Sequence, residues 1–152
     1  MKSLADRRIR NLDPNSNQAK GDRSQELACR LYEYIDLNKK HDNYESLLDC
    51  YNPKTGLYHQ VQGRHYNSKR GFWPFSNFEA ELFKNYENMV CFCFSKDKKT
   101  VERIYKFPKE EIERVKGIAI VKNSSRWTGW YEQYRVTSKG ELNMANEIYN
   151  NS

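Results

Sequence analysis

Long apolar runs are missing from this chain: Met89 to Phe94 is apolar throughout but covers six residues, where a membrane-spanning helix needs about 20. A transmembrane protein is therefore not expected. The opening residues Met1-Lys2-Ser3-Leu4-Ala5-Asp6-Arg7-Arg8 lack the apolar stretch of a signal peptide, so a soluble, intracellular (cytoplasmic) protein is expected. Zinc-binding spacing is missing too. The four cysteines are Cys29, Cys50, Cys91 and Cys93, and two thiols one residue apart on a strand, with no second Cys/His pair, make a poor zinc site. Buried reduced thiols are expected instead. Internal repeats and low-complexity tracts are absent, which excludes solenoids and extended linkers.

What the chain does have is basic charge and aromatic bulk. Twenty-six Lys and Arg against twenty Asp and Glu leave a net charge of +6, a balance that favours polyanionic partners. Eleven Tyr, seven Phe and three Trp suit both a core and a wet recognition surface. A length of 152 residues is enough for one core with appendages.

Residues 1 to 22 read as a basic N-terminal arm, carrying Arg7, Arg8, Arg10 and Lys20 among turn-forming residues. A helix is expected from Asp22 or Ser24, with Leu27, Ala28, Leu31, Tyr32 and Ile35 at helical spacing and Glu26 near its start. Gly71 to Phe75 reads as an irregular aromatic loop broken by Pro74, followed by a helix over 77–87 containing Phe78, Leu82 and Phe83. Met89 to Phe94 has the pattern of a strand buried on both faces. Val101 to Phe107 alternates like a strand with one buried face, Pro108 with Glu110 and Glu111 opens a short helix, and Gly117 to Val121 is a further short strand. The C-terminal segment, 122–152, holds Trp127, Trp130, Tyr131 and Tyr134 and ends in a helix from about Gly140 to Tyr149. It is expected to pack on the core or on a partner subunit. This order predicts an α/β (α+β) domain around a mixed sheet.

The chemistry concentrates in a hairpin. Leu47 to Tyr51 runs into Asn52-Pro53-Lys54-Thr55-Gly56, a cluster of turn formers, and Leu57 to Gln62 runs out. Symmetric closure sets Asn52 opposite Leu57, Tyr51 opposite Tyr58, Cys50 opposite His59 and Asp49 opposite Gln60. Opposed residues share a face, and period two adds Gln62 to it while Val61 points into a core. An acid and two amides thus meet beside Arg64, a grouping that can hold a divalent metal and a phosphate. His59 faces away, His41 lies in a polar loop, and His65 can touch phosphate but has no ligand partner for zinc.

Glu26 on a helix, Asp49 on a strand, the turn, Gln60-Val61-Gln62, Gly63-Arg64-His65-Tyr66 and then an apolar strand resemble the PD-(D/E)XK nuclease superfamily over about Gly21 to Val121. The hairpin from Phe94 to Pro108 is similar to the one that follows the active site in restriction and homing endonucleases. The resemblance implies a restriction-endonuclease-like mixed sheet flanked by helices, with the nuclease core over 23–121. Glu26 falls at the helix acid, Asp49 at the motif's first Asp, Gln60 at its second acid and Gln62 at its Lys. The two glutamines depart from the pattern, and the replacement cation is Arg64, Lys69, Arg70 or Lys84. Arg64, like any arginine, stays protonated and serves by stabilising charge rather than as a base.

The implied activity is metal-dependent hydrolysis of DNA phosphodiester bonds, of the restriction or homing type, by a symmetric dimer that cuts both strands. Glu26, Asp49, Gln60 and the Val61 carbonyl are the expected ligands of Mg2+ or Mn2+; Arg64, His65, Asn67, Lys69, Arg70 and Lys84 are the expected nucleic-acid contacts. Phe72 and Trp73 either touch bases or form a packed aromatic loop. RNA as the substrate stays open. The alternatives are a binding module of the same fold whose catalysis has lapsed, and a protein-interaction or inhibitor domain using the aromatic C-terminal segment.

Overall fold

A turn built by its own residues starts the sheet. The computed structural model describes residues 17–36, 50–75, 86–123 and 129–151. Asn52 accepts the Gly56 N–H on its backbone carbonyl at 2.9 Å and the Lys54 N–H on its side-chain oxygen at 3.0 Å. Gly56 supplies the left-handed φ of 72° that closes the turn. Strands β2 (Cys50–Asn52) and β3 (Leu57–His65) therefore pair antiparallel with Cys50, Tyr51 and Asn52 opposite His59, Tyr58 and Leu57, the register that the turn residues predict. Asp49, the next expected pair, lies outside the described residues.

Before this hairpin, helix α1 spans Asn17–Tyr32 and strand β1 is Ile35–Asp36. The helix begins within the expected polar arm, because Ala19 is the single apolar residue of its early turns and reveals no period. It ends before Ile35, which had been expected on its apolar stripe. Glu33 adopts φ 59° and the Tyr34 N–H bonds back to the Cys29 carbonyl at 2.9 Å. This is a Schellman-type stop made without glycine.

Beyond the hairpin come β4 (Phe72–Phe75), β5 (Tyr86–Phe94), β6 (Val101–Pro108), α2 (Lys109–Arg114), β7 (Ile118–Val121), a 3-10 turn at Trp130–Tyr134 and α3 (Lys139–Asn151). The main sheet has the order β1-β2-β3-β5-β6. Its β3–β5 pair is parallel and the other neighbours antiparallel, so the sheet is mixed. The segment expected as an aromatic loop is instead strand β4, paired with β7 in a separate two-stranded sheet. Pro74 is tolerated there because both strands are edges. The helix expected over 77–87 lies outside the described residues up to 85, and Tyr86 and Glu87 belong to β5.

Two cores sandwich the main sheet. On one face Leu27, Ala28 and Cys29 of α1 and Ala145 and Tyr149 of α3 pack on Val61, Val90, Phe92 and Ile104. On the other, Trp73 and Phe75 of β4, Ile118 and Ile120 of β7, Ile112 and Tyr131 pack on Met89, Cys91, Cys93, Tyr105 and Phe107. Among the described residues no helix is long and apolar enough to cross a membrane.

Candidate functional site

Strand β3 sets out the polar residues in alternation. Gln60, Gln62 and Arg64 pair in parallel with Met89, Cys91 and Cys93, and paired residues share a face. The row therefore looks towards the aromatic core of β4 and β7. Val61, between the glutamines, packs into the α1 layer as the period predicts. Gln60 is buried. The Gln62 carbonyl oxygen Oε1 is buried with no hydrogen-bond partner among the described residues. Such a group costs about 1–3 kcal/mol unless a water or cation satisfies it.

Arg64 ends the row. Its Nη1 donates to the Gly63 carbonyl at 2.8 Å, and its guanidinium stands 5.8 Å from the Phe75 ring centroid. Burial draws its pKa below the ordinary arginine value, with the Cys91 thiol opposing in part. Two residues away from Gln62, it offers a fixed and partly desolvated positive charge.

Glu26 comes from the other layer. It is buried on α1, and one carboxylate oxygen receives Arg30 Nη2 at 2.7 Å, one helical turn on. Linear order could not show that the acid and the glutamine row belong to opposite faces. Gly63 lets the helix come close: a Cβ there would stand 1.9 Å from Ser24 Oγ and 2.7 Å from the Phe94 ring.

Where the strand ends, a recess opens between α1, the β5–β6 turn and α3. Arg23, Gly63, Arg64, His65, Phe94, Lys98 and Tyr149 line it. Every charged residue among them is basic. Arg23 is buried by α1, and the Tyr149 hydroxyl donates to the Lys98 carbonyl at 2.8 Å, fixing the turn. Arg23 and Lys98 were not expected as site residues; the only sequence signal is the basic character of their two segments.

The remaining expected contacts divide. Lys69 and Arg70 are exposed on a turn. Asn67 builds that turn, its side-chain oxygen accepting the Lys69 and Arg70 N–H groups at 3.2 and 3.1 Å. Trp73 is fully buried and donates its indole N–H to the Phe94 carbonyl at 2.7 Å, so it packs the core. Trp130 and Tyr131 also join that core, as expected. His59 is buried, stacked 4.4 Å from Tyr34 and bonded through Nδ1 to Asn88 at 2.8 Å. Lys84, Trp127 and His41 lie outside the described residues.

Among the described residues no three His, Cys, Asp or Glu side chains converge as a metal site would require. Among the described residues the partnerless Gln62 oxygen does suit a hard cation, which takes oxygen ligands; Glu26, expected as a ligand beside it, lies instead in the opposite layer and is paired with Arg30.

No family model and no curated protein matches the chain. Among solved structures it is similar to a bacterial homing endonuclease, with a TM-score of 0.57, 20% identity, and coverage of 79% of this chain and 86% of that one. The five-stranded mixed sheet flanked by helices is thus a fold like that of a homing endonuclease.

Proposed function

We propose that this chain is a metal-dependent endonuclease of the PD-(D/E)XK type that hydrolyses DNA phosphodiester bonds. The observation that carries the reading is the β3 row: a buried Gln62 oxygen with no partner among the described residues, two residues from Arg64, which itself lines a recess whose charged residues are all basic. The likeness to a homing endonuclease supports the same class.

In this reading Asp49 holds Mg2+ or Mn2+, with Gln60, Gln62 and the Val61 carbonyl as neutral oxygen donors, while Glu26, paired with Arg30 in the opposite layer, stays outside the ligand set. The bound metal supplies Lewis-acid polarisation of the phosphate and a more acidic water. Arg64, replacing the motif's ammonium, stabilises charge that develops on the phosphate. Arg23, His65 and Lys98 in the recess, with Lys69 and Arg70 on the turn and Lys84, neutralise backbone phosphates. A dimer brings two sites to the two strands.

The two glutamines favour a second reading, a DNA-binding module of the same fold without turnover. Both are decided by incubating the protein with supercoiled plasmid and with genomic DNA, in magnesium, in manganese and in EDTA, beside Asp49→Ala, Glu26→Ala and Lys98→Gln. A nuclease cleaves only with metal, loses on the order of 100-fold or more in Asp49→Ala but not in Glu26→Ala, and in Lys98→Gln shows a salt slope shallower by about 1. Intact DNA with salt-sensitive retention favours the binder. Intact DNA with no retention at low salt rejects both and leaves the protein-interaction domain.

A further inference from the structure

Cys29 on α1 and Cys50 at the start of β2 are 21 residues apart in sequence, yet their Sγ atoms meet 2.8 Å apart in the buried layer. Unbonded carbon atoms pack at about 3.5–4.0 Å and sulfur is larger, so the thiols are already inside ordinary packing distance. A sulfur–sulfur bond of about 2.05 Å needs a movement of less than an ångström. Cys29 is 7% exposed and Cys50 0%, so an oxidant entering from the surface meets Cys29 first. Cys91 and Cys93 provide a contrast within the same molecule. They are i, i+2 neighbours on β5, about 6.6 Å apart along the strand, and cannot bond to each other without breaking the sheet.

We propose that Cys29 and Cys50 are a modification site, an oxidation-sensitive pair that closes to an intramolecular disulfide with a two-electron oxidant of the peroxide class. The Cys29 thiolate attacks one peroxide oxygen, the O–O bond breaks, and hydroxide leaves to take up the thiol proton as water. The Cys50 thiolate then attacks the sulfenic sulfur; the S–S bond forms, the S–O bond breaks, and a second water results. Two thiols lose two electrons and two protons, and one peroxide becomes two waters. The bond ties α1 to β2 at the residue after Asp49 and closes the loop between them. The modification is independent of the nuclease reading, because it is read from mass.

The test treats the full-length, reduced protein with graded hydrogen peroxide, quenches it, alkylates it under denaturing conditions and maps non-reduced peptides by mass spectrometry. The expected result is an intact mass lower by two hydrogen atoms, one linked peptide joining Cys29 to Cys50, alkylation of Cys91 and Cys93 only, and full reversal by dithiothreitol. The melting temperature should rise on the order of 10 °C, as the cross-link constrains the unfolded chain. In Cys50→Ser the linked peptide disappears and Cys29 is trapped by a sulfenic-acid reagent. The proposal is overturned if all four thiols remain alkylatable at peroxide concentrations that oxidise free N-acetylcysteine, or if a different pair is linked. Cleavage assays on the same oxidised sample report separately whether the bond alters activity, and their outcome does not bear on the mass result.

Discussion

A Cβ on Gly63 would lie 1.9 Å from Ser24 Oγ and 2.7 Å from the Phe94 ring, so this glycine sets how closely α1 can approach β3. Gly63→Ala should cost about 1–3 kcal/mol, the range for forcing extra volume into a packed core, seen as a lower urea midpoint with an unchanged slope. Ser24→Gly in the same chain should recover part of the loss, and a pair with no coupling would show that the helix does not rest on this contact. Sequence reading assigned Gly63 only to a basic stretch, since nothing local reveals that a helix far earlier in the chain crosses there. The register of Asn52, Tyr51 and Cys50 was legible because the turn that fixes it is local. The β3 row of Gln60, Gln62 and Arg64 was legible for a similar reason, period two. The opposite layer of Glu26, and the shared recess of Arg23 and Lys98, depend on packing between distant segments and left no pattern to read.

Elements whose signals lie within themselves were read nearly to the residue. Pro108 with Glu110 and Glu111 does open α2, and α3 covers its expected span, starting where Ser138 Oγ accepts the Glu141 N–H at 3.2 Å in a capping-box spacing. Strand β4 was missed because its aromatic run and Pro74 imitate a loop, and its partner β7 is far along the chain. Asn146 is one of the side chains that hold α3 to the sheet. Asn146 accepts the Val101 N–H at 2.7 Å and donates to the Val101 carbonyl at 2.9 Å, standing in for a neighbouring strand at the start of β6. Asn146→Ala leaves both backbone groups without these bonds and should cost about 1–3 kcal/mol. Hydrogen exchange localises the effect: amides of Lys139–Asn151 should lose protection while those of β5 keep it. Equal loss in both would mean that the whole domain, not the helix contact, had been weakened.

Across the whole molecule, the two cores bury acids that ionise only at high pH, and the sign of their linkage follows from burial. Cys91 and Cys93 are held above the ordinary thiol value by burial. Tyr34 is pushed up to about 12 by burial and then by Glu87, and Tyr86 to about 12 by burial and then by Glu113 and Glu110. Tyr32 and Tyr105 are raised further, first by burial and then by their glutamate partners: the Tyr32 hydroxyl donates to Glu141 at 2.9 Å and the Tyr105 hydroxyl to Glu132 at 2.7 Å. In each case the folded pKa exceeds the unfolded one, so the unfolded chain releases its protons first as pH rises. The stability is fully present below the unfolded thiol range, near 8.5, and is lost upward from there through about pH 12. Urea midpoints measured with reductant present should therefore be level from pH 7 to about 8.5 and fall at pH 10 and 11, at about 1.4 kcal/mol per pH unit for each proton released only on unfolding. Tyrosinate absorbance in the native protein should lag behind that of the urea-unfolded chain over the same range. A midpoint that stays level to pH 11 would mean that these groups ionise in place, and that water reaches the two cores far more freely than their packing allows.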